Sequence, residues 1–199
     1  MPRRSQQDRS RATRAALVTT ARGLFAERGY AQVPAEEIVT AAGVTRGALY
    51  HHFADKRQLF RAVFEELEAE LTAEIAAAIT AAPDRSAGMV AGLSRFLDVC
   101  QRPEVAQIAL TDAPAVLGWR TWREVEARHG LGVITSGLQA AARDGLLVHA
   151  PVPVLAQLVL SAVIEAALLI GHAADPKAAR ADAEQALLAL LSGMLRQPP

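Results

Sequence analysis

The stretch that decides the fold is residues 34–60, PAEEIVTAAGVTRGALYHHFADKRQLF. Apolar residues recur at helical spacing before Gly43. A glycine directly after the last periodic residue is typical of a helix end, because it takes the left-handed conformation without a Cβ clash. Thr45 follows, and its hydroxyl is a good acceptor for the free N–H groups of a new helix. The stretch therefore predicts a helix, a tight turn, a short second helix and the start of a third.

The short second helix is predicted to have one apolar side and one polar side. Val44, Leu49 and Phe53 face inward in this interpretation. The other side carries donors, small residues and one aromatic ring, which suits a DNA major groove where base edges are flanked by phosphates. Gly47 is unusual, because glycine inside a helix costs about 1 kcal/mol relative to alanine. Close approach of the backbone to a ligand would justify that cost. The outward residues are Arg46, Gly47, Ala48, Tyr50, His51 and His52.

The third helix begins with a capping signal. Asp55 is followed three residues later by Gln58, a pattern typical of a capping box, in which two side chains satisfy free N–H groups of the first turn. Lys56 adds a positive side chain at the positive end of the helix dipole. This helix start is therefore predicted to bind a DNA phosphate.

These residues together resemble the DNA-binding domain of the TetR family of transcriptional regulators. The resemblance covers about residues 13–64, roughly a quarter of the chain, and many spaced positions agree at once. The matching positions are Leu24, Phe25, Gly29 and Tyr30 upstream, then Ala42, Gly43, Val44, Gly47, Leu49, Tyr50, His52, Phe53 and Lys56.

The resemblance implies a DNA-binding helix-turn-helix domain with a basic N-terminal arm in residues 1–54. It further implies an effector-binding and dimerisation domain in residues 55–199, and a fourth helix whose tilt sets the separation of two recognition helices. Tyr50 and His52 would contact phosphates, and His51 a phosphate or a base edge. The alternative is that these side chains lie on the surface of a helix and contact no DNA. The implied DNA-binding residues are Thr45, Arg46, Gly47, Ala48, Tyr50, His51, His52 and Lys56.

Charge divides the chain in the same place. The formal net charge of zero by itself argues against a nucleic-acid partner. Residues 1–60, however, hold ten Lys and Arg against five Asp and Glu, a balance of +5, whereas residues 61–199 hold eleven against sixteen, a balance of −5. A basic head on an acidic body is typical of a DNA-binding protein with a separate domain for another task.

Composition indicates a globular cytoplasmic protein. Hydrophobic residues make up 51% of the 199 residues and charged residues 21%. One cysteine excludes an internal disulfide framework and fits a reducing compartment. The Arg- and Gln-rich N-terminus has no apolar core, so no signal peptide is predicted. The apolar residues 152–170 could suggest a membrane span, but Gln157, Ser161 and Glu165 lie four apart as a polar stripe, which favours a soluble bundle helix.

Helices are predicted throughout the body, and no period-2 strand pattern occurs, so the predicted fold is all-α. Glycines are expected to kink the helix 119–143, and residues 113–118 are expected to form a loop. The last two helices, about residues 152–172 and 177–196, expose more apolar surface than one small subunit can cover. They are therefore predicted to form a homodimer interface as a four-helix bundle. The remaining predicted helices are 9–28, 55–82, 87–101 and 104–111.

The body also offers candidate effector contacts. Trp119 and Trp122 lie three apart, with Glu126 or His129 further along, and two aromatic faces beside a polar group suit a small-molecule pocket. Ordinary packing explains them equally well. Cys100 is more often a core residue than a sensor, and a solvent-facing stripe is the favoured explanation of Glu165. The predicted ligand-binding set is Phe96, Cys100, Asp112, Trp119, Trp122, His129 and Glu165.

No catalytic motif is present: the sequence has no G-x-S-x-G, H-E-x-x-H or P-loop pattern, and no cofactor is predicted. No metal site is predicted either, because the adjacent His51 and His52 point in different directions along a helix. The interpretation is a cytoplasmic repressor that binds palindromic operator DNA and is released by a small-molecule effector. Two alternatives stay open: a helical enzyme or carrier with a vestigial head, and an architectural DNA-binding protein without an effector.

Overall fold

The computed structural model describes residues 6–195. Most of the predicted basic arm and residue 196 of the last predicted helix lie outside this range. Within it the chain is almost entirely helical, and its only bridge is an antiparallel pair between Leu147 and Leu195. The all-α prediction is confirmed.

The described residues form ten α-helices and one π-helix, π1, which spans Ala106–Asp112. The α-helices are α1 (Gln6–Arg28), α2 (Ala35–Ala41), α3 (Arg46–His52), α4 (Lys56–Ala81), α5 (Arg85–Cys100), α6 (Pro103–Val105), α7 (Ala113–Leu117), α8 (Trp119–Arg143), α9 (Val152–Gly171) and α10 (Pro176–Gly193).

The chain divides into two compact units. The first, here called the head unit, contains residues up to Leu67 together with Pro103–Arg120. The second, the body unit, contains Glu68–Arg102 and the chain from Thr121 onward. The chain passes between the units inside α4, between α5 and α6, and inside α8. The head unit therefore includes a segment that the sequence places far downstream.

The core of the head unit is built on aromatic rings. Phe25 and Phe60 are fully buried and meet edge to face, with ring centroids 5.4 Å apart. Tyr30 contacts both rings at 5.6 and 5.1 Å. Such pairs add to the stabilisation that comes from burying the rings. Ile38 of α2 and Leu49 of α3 are also fully buried, so the helix-turn-helix rests on a rigid base.

Two polar contacts bind the downstream segment into the head unit. The Arg22 guanidinium donates twice to the Glu104 carboxylate, from Nε to Oε1 at 2.6 Å and from Nη2 to Oε2 at 3.0 Å. The backbone N–H of Tyr30 donates to Oδ2 of Asp112 at 2.7 Å. Bidentate Arg–carboxylate pairs combine charge with fixed geometry. The segment Pro103–Arg120 is therefore a structural component of the head.

The structure corrects the predicted helix and loop in this segment. Residues 104–111 were expected to be one α-helix, but α6 passes at once into π1, where the Thr111 hydroxyl donates to the carbonyl of Ala106, five residues back, at 2.8 Å. Residues 113–118 were expected to be a loop, but α7 forms instead. Pro114 fits its first turn, where a missing N–H costs nothing. Gly118 ends α7 with φ of 80°.

In the body unit α5 packs against α9 and α10, which also pack against each other. Glycine allows α5 to approach α4 closely, because a Cβ at Gly92 would lie 2.6 Å from Cγ1 of Ile79. The predicted helix 119–143 is confirmed with the same limits, and α8 runs through its glycines without a break.

Candidate functional site

The turn and the short helix of the opening stretch form as predicted. Gly43 has φ of 65°, in the left-handed region. Thr45 has an extended backbone, and its hydroxyl accepts the N–H of Ala48 at 3.2 Å. Leu49 and Phe53 are buried. The polar side of α3 is consequently turned outward: Thr45, Arg46, Gly47, Tyr50 and His51 are exposed, and Ala48 and His52 are half-buried.

Gly47 has no neighbour that requires a glycine. A Cβ at this position would meet only the Thr45 hydroxyl oxygen, at 3.9 Å, and its φ is not in the left-handed region. The helix nevertheless pays the conformational cost of glycine. The open space over Gly47 is on the outer surface of α3, where another molecule can approach the backbone.

Arg46 is held loosely. Its guanidinium lies 3.3 Å from the Glu36 carboxylate and 5.6 Å from the centre of the Tyr50 ring, and both carboxylate and guanidinium are largely exposed. An exposed ion pair of this kind contributes little to stability. Arg46 can therefore exchange the Glu36 carboxylate for a phosphate or a base edge at small cost.

The two histidines of α3 differ in surroundings. Their ring centroids are 5.1 Å apart. Partial desolvation, and then the nearby positive charges of His51 and Arg14, lower the pKa of His52. The lowered pKa favours the neutral form of the His52 imidazole near pH 7. Within residues 6–195 no cluster of three or more His, Cys, Asp or Glu side chains could hold a metal ion.

The start of α4 carries the predicted reciprocal cap. The N–H of Gln58 donates to Oδ1 of Asp55 at 2.7 Å, and the N–H of Ala54 donates to Oε1 of Gln58 at 3.1 Å. The second bond reaches one residue further back than in the usual capping box, in which it would reach the cap residue itself.

Lys56 has an internal task that the sequence did not indicate. Its ammonium donates to the carbonyls of Tyr30 and Val33, both at 2.9 Å, and lies 3.9 Å from the centre of the Tyr30 ring. Burial lowers its pKa, and the charge of Asp112 opposes that shift. Two of its three protons thus hold the connection between α1 and α2. The predicted phosphate contact remains a prediction.

The predicted ligand-binding residues do not form one group. Trp122 and Cys100 are buried in the body unit, where Phe96 and His129 are half-buried. In the head unit, Trp119 is 65% exposed and Asp112 accepts the Tyr30 N–H. Glu165 is exposed together with Gln157 and Ser161, as the favoured explanation of the polar stripe predicted. Their role in ligand binding stays a prediction.

Three titratable side chains of the body unit interact electrostatically: Glu68 of α4, which is half-buried, and Cys100 of α5 and Glu126 of α8, which are buried. Burial raises the pKa of Glu68 to about 7. Burial and the charge of Glu68 raise the pKa of Glu126 well above its usual value, while Arg123 and the Trp122 indole oppose that rise. Burial and both carboxylates raise the pKa of the Cys100 thiol.

Glu68 was not identified from the sequence, and Glu126 was named only as a polar group near the two tryptophans. A signal was present for each. Glu68 lies four residues after Phe64 and directly after Leu67, on the buried stripe of α4. Glu126 lies four residues after Trp122, also on a buried stripe. A glutamate in register with the apolar face of a helix indicates a buried carboxylate.

Comparison with known proteins finds two family models. The model described as bacterial regulatory proteins of the tetR family matches residues 17–63. The model of the tetracyclin repressor-like C-terminal domain matches residues 86–194, more than half of the chain. Each compact unit contains most of one match.

Curated relatives match about a third of the chain. The chain is 46% identical over 61 residues to the transposon Tn10 TetC protein of Escherichia coli, covering 31% of each chain. It is 43% identical over 65 residues to the transcriptional regulator CymR of Pseudomonas putida, covering 33% of this chain and 32% of CymR. The match therefore spans about a third of the length of these relatives.

Solved structures match over nearly the whole chain. A TetR-family transcriptional regulator from Pectobacterium atrosepticum is 35% identical, with a TM-score of 0.87 over 98% of this chain and 100% of that one. RolR, solved in complex with resorcinol, shares the fold with a TM-score of 0.74 and 20% identity, over 93% of this chain and 90% of RolR.

Proposed function

Because the chain belongs to the TetR family of transcriptional regulators, we propose that it is a cytoplasmic homodimeric repressor. Its head binds a palindromic operator, and a small-molecule effector bound in the body releases it. CymR and the Pectobacterium atrosepticum protein, to which it is similar, are transcriptional regulators.

The outward side of α3 is the single observation that carries the DNA-binding proposal. Its donors are exposed, Arg46 is only loosely paired, and the backbone at Gly47 is open to an approaching molecule. Tyr50, 43% exposed, and His52 complete a surface that suits phosphates flanking a major groove. A vestigial head would have no reason to keep these features together.

The dimer proposal rests on the exposed apolar residues of α9 and α10. Val154, Leu158 and Leu169 of α9 are 58 to 61% exposed, and Leu190 of α10 is 62% exposed. The same α9 is long and apolar enough to cross a membrane by length and composition. Its exposed Glu165 and Gln157, however, fit a protein interface better than lipid. A second copy would cover this surface and present two heads to two half-sites.

Leu158→Glu tests the dimer. The charged side chain would be trapped in an apolar interface, so the variant should elute as a monomer and lose operator affinity. Leu146→Glu is the matched control, because Leu146 is 46% exposed but lies between helices. A Leu158→Glu variant that remains a dimer by light scattering would place the interface elsewhere.

Effector release is proposed as a shift between two populations. The effector prefers one conformation of the body and DNA prefers another, so each ligand weakens binding of the other. The body matches the tetracyclin repressor-like domain, and RolR shows that this fold holds a small molecule. Neither supplies the chemistry of the effector for this chain.

The test of the function is DNA binding by the purified protein at a fixed near-physiological salt concentration. The duplex upstream of its own coding region is compared with a random duplex. We expect a preference of at least about 1,000-fold with a footprint over a palindrome, as specific regulators show. Equal affinity for both duplexes would favour an architectural protein over a regulator.

A further inference from the structure

The outer side of α9 carries apolar and polar residues in a fixed order. Five exposed side chains recur every three or four residues and therefore form one stripe along a single helical face. Leu158 and Leu169, both largely exposed, lie on either side of two polar residues. The centre of the stripe is thus polar, whereas both of its ends are apolar. In chain order the stripe contains Val154, Leu158, Ser161, Glu165 and Leu169.

Glu165 lies in the centre of this stripe without a partner of its own. It is exposed, and it makes no hydrogen bond or ion pair with any of residues 6–195. The proposed dimer covers the apolar members of the stripe with a second copy of the chain. That second copy would also remove water from the Glu165 carboxylate, which is costly unless a positive charge replaces the water.

A positive charge is held on the same stripe, one helical turn from Glu165. The Arg123 guanidinium reaches from α8 to the Ser161 hydroxyl and donates to it from Nη2 at 2.9 Å. The hydroxyl in turn donates to the carbonyl of Gln157 at 2.9 Å, so its oxygen is oriented to accept from Arg123. A guanidinium carries five N–H donors in a planar fork, so it can serve a hydroxyl and a carboxylate together. Each protomer therefore presents a guanidinium and a carboxylate side by side on one face.

The order of residues in the stripe is self-complementary. In a symmetric dimer of this kind, a two-fold axis brings the same patch of both copies together and passes through the centre of that patch. Val163 is midway between Ser161 and Glu165, and Leu158 and Leu169 lie five and six residues from it. Two antiparallel α9 helices with the axis at this level bring their apolar ends together. Ser161 of one copy then lies opposite the partner's Glu165.

We propose that Glu165 of each protomer pairs with the partner's Arg123, beside the partner's Ser161, at the centre of the homodimer interface. This inference rests on the proposed function, because it requires a dimer formed through α9. The two-fold axis generates the pair twice, so neither carboxylate stays unpaired. A dimer without these pairs would enclose two glutamates of like charge close to its axis, where they would repel each other.

The charge pair gives the interface a selectivity that apolar burial alone does not provide. Apolar side chains would allow α9 to shift by one turn along its partner, or to pack against another chain with a similar apolar surface. A polar pair at one level of an apolar seam fixes the register, as polar residues do in coiled coils. It also leaves an unpaired charge against any partner that lacks the acid or the guanidinium. Arg123 and Glu165 therefore determine which chains form the dimer.

Charge reversal tests the pair. Glu165→Arg and Arg123→Glu each bring like charges together twice in a homodimer. We expect each variant alone to dimerise at least about 100-fold more weakly than the wild type, about 10-fold for each of the two pairs. An equimolar mixture of the two variants restores both pairs and should form a heterodimer with nearly the affinity of the wild-type dimer. Native mass spectrometry with a mass tag on one variant measures homodimer and heterodimer separately.

Glu124→Arg is the matched control for these variants. It makes the same change of charge at an exposed position next to Arg123 and should leave dimerisation unchanged. Circular dichroism establishes that each variant is folded. If Arg123→Glu does not fold, Glu165→Arg/Arg123→Gln takes its place. Removing the like charge should then raise dimer affinity at least about 10-fold above that of Glu165→Arg alone, and no increase would overturn the pair.

The outcomes separate this inference from the proposed dimer. If Leu158→Glu is monomeric while Glu165→Arg and Arg123→Glu dimerise as the wild type does, the interface stays and the charge pair is overturned. Weak homodimers whose mixture forms no heterodimer also overturn the pair, because Glu165 then lies opposite another group. If Leu158→Glu remains a dimer, the interface does not include this stripe, and the proposed dimer fails together with the pair.

Discussion

The outer side of α3 and the interior of the body unit use charge in opposite ways. On α3 the cation Arg46 is exposed and weakly paired, so the unliganded protein bears almost no electrostatic cost for keeping it. In the body, Glu68 and Glu126 are enclosed, and the fold bears a large desolvation cost. The exposed cation of the head therefore costs the fold little, whereas the two carboxyl groups of the body make the stability of the fold depend on pH.

The largest expected effect concerns the stability cost of Glu68. Its pKa is raised on folding, so its contribution is fully favourable below the unfolded pKa near 4.5 and is lost as pH rises through about 7. Glu68→Gln should therefore increase the free energy of unfolding above pH 7 by about 3 kcal/mol relative to wild type, and much less near pH 4.5.

Urea unfolding of both proteins across this pH range measures the difference. Glu124→Gln should follow the wild-type curve throughout, since that side chain is exposed. A constant difference between Glu68→Gln and wild type at all pH values would show that the carboxyl does not titrate in the interior.

The next effect concerns the link between Asp112 and the head. Asp112→Ala leaves the N–H of Tyr30 without its acceptor and should cost about 1–3 kcal/mol of stability. Because this residue also faces Lys56 electrostatically, operator affinity should fall as well. Asp84→Ala removes a comparable side-chain cap in the body, at Ala87, and should lower stability without changing the affinity of the folded protein for DNA. Thermal unfolding and DNA titration of both variants measure these two effects. If Asp112→Ala binds operator DNA as tightly as the wild type, then Asp112 does not set the geometry with which the head binds DNA.

Gly47→Ala should change the two properties in opposite directions: it should increase the stability of the fold and weaken operator binding. The new methyl group has open space, so stability should rise by about 1 kcal/mol, while operator affinity should fall about 10-fold as the backbone is held away from DNA. Gly132→Ala, in similarly open space within α8, should stabilise the protein without affecting DNA binding. Unaltered operator binding by Gly47→Ala would mean that the backbone of α3 does not approach the groove.

The smallest effect is expected at His52. A phosphate contact favours the charged imidazole, whose pKa is lowered in the free protein. Operator affinity should therefore increase about 3-fold more in the wild type than in His52→Gln as pH falls from 7.5 to 6. Fluorescence anisotropy with the two proteins measures the difference. Parallel pH profiles would remove His52 from the phosphate contacts.

Sequence reasoning predicted the head in detail because its signals are local. Gly43, Thr45, Asp55 and Gln58 each act on backbone groups within a few residues, so their roles could be predicted from spacing alone. The same reasoning missed the task of Lys56, because its acceptors lie more than twenty residues earlier in the chain. It placed α8 well, since a long periodic pattern is a strong signal.

The three interacting side chains of the body unit could not be predicted in the same way. Glu68, Cys100 and Glu126 meet only through tertiary packing, and their separation in the chain gives no motif. The expected loop at residues 113–118 was wrong because a short helix forms there with Pro114 in its first turn, a position that suits proline. Helical periodicity alone does not predict burial. Trp119 and Trp122 lie three residues apart, yet Trp119 is 65% exposed and Trp122 is fully buried.

The downstream segment Pro103–Arg120 has a consequence for how genes of this kind recombine. A single crossover within the codons of α4 would give a chimera whose Arg22 and Tyr30 come from one parent, and whose Glu104 and Asp112 positions come from the other. Any mismatch at these pairs would leave a backbone N–H or a guanidinium unsatisfied in the head. To transfer DNA specificity between paralogues, recombination should therefore exchange two separate stretches of sequence, or take place between parents that already share both acidic residues.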